Sequence, residues 1–149
     1  DMIIDACRFL IKEYPEIGFI VLCSKKDDIL INQYYEALKD IKDNFMLIAE
    51  NMNYIPILQK SHVCVRPTNT DGFSLSIAEA LYFKIPVVAS DVVSRPKGTI
   101  LFKTRDLNAF IESIRYAIIN INNIVFAEED LPKSNAEEII NLYRGLLNR

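Results

Sequence analysis

The sequence predicts an α/β protein with a doubly wound parallel sheet and helices on both faces. Amphipathic helical segments alternate along the chain with short apolar runs, a pattern typical of parallel strands joined by helical crossovers. The chain has 149 residues, of which 50% are hydrophobic and 25% charged, which suits one globular domain with its own core. It contains only 4 glycines and 6 prolines, too few for a long linker, so we assign residues 1–149 to one domain.

The first half of the chain alternates predicted helices and strands. Apolar residues at helical spacing predict a helix over residues 1–14, which Pro15 ends. The apolar run 18–24 is nearly continuous, and such runs are typical of strands buried on both faces. The next predicted elements are a helix over 29–40, a strand over 44–50, a short helix over 54–61 and a third buried strand over 62–67.

The second half continues the alternation. Its predicted elements are a helix over about 74–84, strands over 86–90 and 99–103, and helices over 106–121 and 134–148. Asp106 is in position to cap the longer of the last two helices. Because the chain begins with a helix, whereas domains of this kind usually begin with the central strand, we expect it to be a fragment of a longer protein.

Charge and hydropathy argue against several classes of partner. The net charge is −3, whereas a nucleic-acid-binding domain would normally carry a basic patch. No apolar run approaches the roughly 20 residues that a membrane span requires, so we expect membrane association only through a part that lies outside this chain. The opening "DMIIDACRFL" has no basic start and no small-residue cleavage site. Together with three cysteines that show no disulfide or metal-ligand pattern, these features favour a cytoplasmic protein.

The cysteines and the single histidine do not suggest a metal centre. Cys7, Cys23 and Cys64 all lie in apolar runs, and His62 has no cysteine or histidine at ligand spacing. We therefore interpret the cysteines as reduced thiols of the core. No acidic cluster suited to magnesium is present either, so we expect no metal and no cofactor.

The loop and helix over 71–79 form the candidate ligand site. Ligands of open α/β sheets bind beyond the carboxyl ends of the strands, and the loop 66–74 is the richest in polar residues there. Gly72 permits a tight turn or a close backbone approach. The amides of Phe73, Ser74 and Leu75 open a helix, where phosphate is readily bound.

A purely structural interpretation of the same residues also stands. Ser76 and Glu79 fit a capping box, and Asp71 could complement the helix dipole. Alternatively, the two carboxylates bracket a ligand, since residues eight apart on a helix lie about 12 Å apart along its axis and on similar faces. Carboxylates accept hydrogen bonds from vicinal hydroxyls, so a sugar nucleotide, with hydroxyls at both ends and a diphosphate between, would suit the site.

The stretch "RPTNTDGFSLSIAEALYFKIPVVASD" (66–91) resembles a known pattern. It is similar to P-S-x-x-E-G-F-G-L-x-x-x-E-A-M-A-x-G-x-P-V-V-A-S-D of the retaining GT-B glycosyltransferases, the group 1 family that includes sucrose synthase and glycogen synthase. The resemblance covers nearly the whole chain and implies a Rossmann-like donor-binding C-terminal domain. It implies that Asp71 lies at the transferred sugar, Glu79 at the ribose hydroxyls, and the amides of 73–75 near the sugar and diphosphate.

This sequence departs from the family pattern at several positions. The first acid is the shorter Asp71, Ser74 replaces a glycine, and Lys84 replaces the glycine that ends the family helix. The family's first strand and the following loop, with the basic pair that grips the diphosphate, are absent. Four basic residues lie in predicted ligand-side loops without occupying that position: Lys25, Lys26, Arg66 and Lys97.

The resemblance implies a glycosyltransferase that binds a nucleotide sugar without a metal and acts in surface polysaccharide biosynthesis. Its glycan or lipid-linked acceptor would be bound by an N-terminal domain missing from this chain, so we expect the isolated piece to be inactive. The alternative is a non-catalytic interaction module or a degenerate nucleotide-binding domain. A receiver-like domain is disfavoured because Asp27 and Asp28 have no partner aspartate at a later strand end.

Overall fold

The computed structural model describes residues 2–23 and 28–126, together with residues 140, 141, 143 and 144. The helices are α1 (Met2–Glu13), α2 (Asp28–Ala37), α3 (Ile55–Lys60), α4 (Leu75–Tyr82) and α5 (Leu107–Ile119). The strands are β1 (Phe19–Leu22), β2 (Phe45–Ile48), β3 (Cys64–Arg66), β4 (Val87–Ser90) and β5 (Ile100–Phe102). A single 3₁₀ turn, Lys39–Ile41, follows α2.

The predicted order of helices and strands is confirmed across the described residues. Each observed element falls within its predicted range or within one residue of it. The predicted cap of α5 is also confirmed, because Asp106 Oδ1 accepts a hydrogen bond of 2.9 Å from the amide of Ala109. Of the predicted helix 134–148, residues 140, 141, 143 and 144 are helical, and the rest lies outside the described residues, as do Lys25, Lys26 and Asp27.

The strands form two parallel sheets. β1 pairs with β2, with Phe19 opposite Phe45. The second sheet has the order β3-β4-β5, with Arg66 opposite Ala89 and Ser90 opposite Phe102. Because all the described pairs are parallel, the carboxyl ends of β3, β4 and β5 meet at one edge, where the loop 67–74 emerges. The α/β class with a parallel sheet is therefore confirmed.

Helices cover both faces of the larger sheet, as predicted. On one face, Val88 packs with Phe102, with Leu10 of α1 and with Phe110 of α5. On the other face, a second cluster joins α3, α4 and β4, and its members are Leu58, Ile77, Ala80, Leu81, Ile85, Val87 and Ala89. All four residues of β4 are buried, because this strand has a neighbour on each edge and a helix layer on each face.

The prediction that the strand regions 18–24 and 62–67 are buried on both faces is wrong. In β1 every second residue is exposed, including Ile20 and Leu22. In β3 the side chain of Val65 is exposed as well. Phe19 packs against α1, so the first sheet is covered on that face, whereas Ile20 on the other face is 49% exposed.

A groove separates the two sheets. No hydrogen-bonded ladder joins β1 to β3 in the described part of the chain, so each of these strands has one edge without a partner strand. The space between them is a largely apolar cavity of about 810 Å³. Its walls include Ile20 of β1, Val65 of β3, and Ile114 and Ile118 of α5. The described strands therefore form two separate sheets rather than one continuous sheet.

Helix α4 ends without the family's glycine yet keeps a left-handed cap. Lys84 has a φ of 58°, its amide donates to the carbonyl of Leu81 at 2.9 Å, and the amide of Ile85 donates to Ala80 at 2.9 Å. These two bonds are those of a Schellman motif, which usually has glycine at the left-handed position. The turn directs the chain into β4, and Ile85 is buried there.

Candidate functional site

The candidate site lies at the carboxyl ends of β3 and β4. β3 ends at Arg66, and the chain then runs through the loop 67–74 into α4, whose first turn faces the same edge. β4 ends at Ser90, and the following segment brings Arg95 back toward the loop. Two adjacent parallel strands thereby bring residues that are distant in sequence into one cluster.

Asp71 is at the centre of this cluster, with a side chain that is 9% exposed. Its Oδ2 accepts hydrogen bonds from Arg95 Nη1 at 2.8 Å, Thr68 Oγ1 at 3.1 Å and Arg66 Nε at 3.2 Å. Its Oδ1 accepts from the amide of Gly72 at 3.0 Å and from Arg66 Nη2 at 3.3 Å. A carboxylate has about four lone-pair sites, so these protein donors already fill the acceptor capacity of Asp71.

Arg95 is the deeply buried member of the cluster, with a side chain that is 1% exposed. Besides Asp71, its guanidinium donates to the carbonyl of Ser90 at 3.1 Å, to Thr68 Oγ1 at 3.3 Å and to Ser90 Oγ at 3.4 Å. Ser90 Oγ in turn donates to the carbonyl of Thr68 at 2.7 Å. These bonds tie the loop after β3 to the end of β4 and thus fix the position of Asp71.

The charge state of Asp71 follows from these contacts. Hydrogen bonds from Arg66 hold the pKa of its carboxyl well below the usual range, burial opposes this effect, and bonds from Arg95 and Thr68 add to the lowering. Asp71 is therefore ionised at neutral pH. A contact of this carboxylate with a transferred sugar stays a prediction, and it would require one of the protein donors to release an oxygen.

The start of α4 is partly open to solvent. Ser74 is the N-cap residue, but its side chain makes no capping bond to the helix, and its Oγ instead lies 3.0 Å from Ser76 Oγ. Ser74 is buried, whereas Phe73 and Leu75 are exposed. Gly72 does not have a left-handed φ, and a Cβ added there would meet no protein atom within 4 Å. The turn therefore does not require glycine, and the space around it is free.

Glu79 does not take part in the predicted capping box. The helix begins after Ser74, which places Glu79 in the second turn, beyond the residues whose side chains cap a helix start. Its carboxylate is half-buried, and Oε2 accepts a hydrogen bond from the hydroxyl of Tyr54. Tyr54 is the N-cap residue of α3 and packs against the apolar cluster beneath α4. Asp71 and Glu79 thus have separate sets of partners.

Tyr54 and Arg95 are among the site residues that the sequence analysis missed, together with Thr68 and Ser90. Tyr54 precedes α3 by one residue, and its partner Glu79 is 25 positions away. Arg95 is 24 positions from Asp71. Only their location in the sequence could have indicated a role for Tyr54 and Arg95 in the site, since both lie in or next to loops that follow the carboxyl end of a strand.

Comparison with known proteins identifies the family. The model for "Glycosyl transferases group 1" matches residues 1–120. The chain belongs to this family. An uncharacterized glycosyltransferase of Haemophilus influenzae is 23% identical over 158 aligned residues, which cover 99% of this chain and 44% of that protein. The chain thus spans less than half the length of this relative.

Solved structures agree with a GT-B fold. The crystal structure of TarM superposes with a TM-score of 0.62 at 19% identity, covering 100% of this chain and 32% of TarM. The pneumococcal O-GlcNAc transferase GtfA, solved in complex with UDP and GlcNAc, gives a TM-score of 0.65 at 18% identity, covering 99% of this chain and 31% of GtfA. At these identities the likeness concerns the fold alone.

Metal-binding clusters and membrane-spanning helices are both absent from the described part of the chain. Within the described ranges, no three side chains of His, Cys, Asp or Glu lie close enough together to hold a metal ion. No helix in the described part of the chain is both long and apolar enough to cross a membrane.

Proposed function

We propose that this domain binds the nucleotide-sugar donor of a glycosyltransferase at the carboxyl ends of β3 and β4. Family membership supports a glycosyltransferase. The observation that carries the donor site is the placement of Glu79, which is half-buried, lies outside any capping role and is oriented by Tyr54. A carboxylate held in one orientation is well suited to accept hydrogen bonds from two vicinal hydroxyls.

The proposed donor lies along α4. Glu79 accepts from the ribose hydroxyls, and the diphosphate lies near the amides at the helix start, over the free space around Gly72. The transferred sugar lies near Asp71. This arrangement uses every residue of the predicted site: Asp71, Gly72, Phe73, Ser74, Leu75 and Glu79.

The proposed reaction is a retaining transfer to a glycan or lipid-linked acceptor. The bond between the anomeric carbon and the diphosphate breaks, and a bond from that carbon to the acceptor oxygen forms as the acceptor hydroxyl passes its proton to the leaving diphosphate. Helix dipole and arginine charge offset the charge of the leaving diphosphate, so the proposal needs no metal. The acceptor would be bound by a further domain of a longer, cytoplasmic enzyme, and surface polysaccharide is the proposed product.

Titration of this chain with UDP, GDP and ADP tests the proposal. Glu79→Gln preserves shape but removes charge, and it is expected to weaken binding of the preferred nucleotide by about 1.5–3 kcal/mol, the typical value of a hydrogen bond to a charged group. Glu36→Gln is the matched control, since Glu36 is an exposed helical glutamate paired with Lys39. Equal affinity of wild type and Glu79→Gln would remove Glu79 from the site. If none of the three nucleotides binds, the non-catalytic module becomes the better interpretation.

A further inference from the structure

The cluster around Asp71 holds two positive charges and one negative charge. Arg95 and Arg66 both donate to the same carboxylate, but their surroundings differ. Arg95 is 1% exposed and approaches Asp71 Oδ2 at 2.8 Å, whereas Arg66 is 41% exposed and its two bonds to Asp71 are 3.2 and 3.3 Å long.

Arg95 requires Asp71 as its counter-charge, and Arg66 does not. A buried ion needs a partner of opposite charge, because removal from water costs several kcal/mol that neutral hydrogen bonds alone do not offset. The other acceptors around Arg95 are neutral, namely Ser90 and Thr68. With Asp71 neutralising Arg95, the charge of Arg66 is in excess at the carboxyl end of β3.

The guanidinium of Arg66 also retains unused donors. It contacts Asp71 through Nε and Nη2 only, and Nη1 donates to no acceptor among the described residues. Since a guanidinium carries five N–H groups in a planar fork, three remain for a ligand. Phosphate oxygens match that fork bidentately.

We propose that Arg66 binds the diphosphate of the nucleotide donor and exchanges Asp71 for the phosphate when the donor arrives. This inference rests on the proposed function. Arg66 begins the loop that continues through Asp71 and Gly72 to the uncapped start of α4, so the excess charge and the free helix amides lie at one edge of the sheet. The exchange leaves Asp71 Oδ1 with only the amide of Gly72 as a donor and so frees a lone pair for a sugar hydroxyl.

The test compares UDP, uridine and pyrophosphate as probes, with GDP and guanosine or ADP and adenosine in place of the uridine pair if that nucleotide binds more tightly, by calorimetric titration of the 149-residue chain. Arg66→Gln is expected to weaken UDP and pyrophosphate binding by about 10- to 100-fold, as for other charge-assisted hydrogen bonds, while uridine affinity stays within about twofold. Arg66→Met keeps the apolar stem without the charge and is a second variant with the same expectation. UDP affinity of both variants should also depend less on salt than that of the wild type.

Arg8→Gln is the matched control. Arg8 is 39% exposed and pairs with Asp40, so it has the exposure and carboxylate partner of Arg66 but lies on α1 beside the end of α2. Its UDP affinity should equal that of the wild type. If both Arg66 variants bind UDP as tightly as the wild type, this inference alone is overturned. The same holds if the variants lose affinity for UDP and for uridine equally. A wild-type chain that binds none of UDP, GDP and ADP overturns the proposed function and this inference with it.

Discussion

The hydroxyl of Tyr54 donates a hydrogen bond to the carboxylate of Glu79, and this contact joins the start of α3 to the second turn of α4. The Tyr54 ring is anchored in the apolar cluster formed by α3, α4 and β4. The bond therefore holds the Glu79 side chain in one orientation from a rigid base. In the proposed donor site, Tyr54 acts on the ribose through Glu79.

Tyr54→Phe is expected to weaken nucleotide binding by about 0.5–1.5 kcal/mol, because the packing of the ring is kept while one hydrogen bond to Glu79 is lost. Calorimetry with UDP and with its 2′,3′-dideoxy analogue measures the effect. The dideoxy analogue should bind both proteins equally, since its sugar cannot use the Glu79 carboxylate.

Tyr116→Phe provides the control for this prediction, because Tyr116 is an exposed tyrosine on α5, away from the site. A purely structural role of Tyr54 would weaken the binding of UDP and of the dideoxy analogue to the same extent. That outcome would contradict the positioning of Glu79 by Tyr54.

Asp71→Asn is expected to lower the free energy of unfolding by about 3 kcal/mol, since removing one partner of a buried ion pair leaves the other charge uncompensated. The charge left behind is that of Arg95, which is 1% exposed. Urea denaturation measures the loss. Asp40→Asn is the control, because it breaks the exposed pair with Arg8 and should have a much smaller effect. Equal effects of the two substitutions would contradict a structural ion pair at Asp71.

Asp71→Asn should also change how the free energy of unfolding depends on pH. The pKa of Asp71 is lower in the folded protein than in the unfolded chain, chiefly through hydrogen bonds from Arg66. The folded state then binds fewer protons, so the stabilisation is fully present above about pH 4 and is lost as the pH falls toward the folded-state pKa. The fall in unfolding free energy below about pH 4 should therefore be less steep in Asp71→Asn than in the wild type. Parallel curves would contradict this assignment.

The sequence predicted the elements well because their signals are local. Asp106 caps α5 through an amide three residues ahead, and the order of helices and strands follows from hydrophobic spacing. The exposure of Ile20 and Val65 could not be predicted in this way, because the burial of a strand depends on which strands and helices lie next to it.

The site was predicted in part. The location of Asp71 after β3, and of Glu79 on the helix that follows, was predicted from the loop that precedes α4. Their partners Arg95 and Tyr54 are 24 and 25 positions away, so these contacts depend on how the loops after β4 and before α3 return to the site. The capping-box alternative required Ser76 to be the N-cap residue of α4. It is wrong because the N-cap residue is Ser74, two positions earlier.

Lys84→Gly is expected to stabilise the protein by about 1 kcal/mol. Lys84 has a φ of 58°, and this left-handed conformation costs a residue with a Cβ about 1–2 kcal/mol. Glycine avoids that cost, but it loses more conformational entropy on folding than lysine does, which offsets part of the gain. Thermal denaturation should show a higher melting temperature. Lys39→Gly, in the 3₁₀ turn, is the control and should not stabilise. A lower melting temperature for Lys84→Gly would mean that the lysine side chain contributes more than the strain costs.

The open edges of β1 and β3 predict that the 149-residue chain self-associates. Strand edges without a partner pair readily with other chains, and the groove between them presents apolar side chains such as Ile20 and Val65. Val65→Lys places a charge in the groove, where it should oppose pairing with another chain and shift sedimentation toward the monomer. Leu101→Lys is the control, since Leu101 is an exposed apolar residue of β5 that lies outside the groove. A wild-type chain that sediments as a compact monomer and melts cooperatively would contradict the prediction. An equal reduction of association by both lysine variants would place the contact outside the groove.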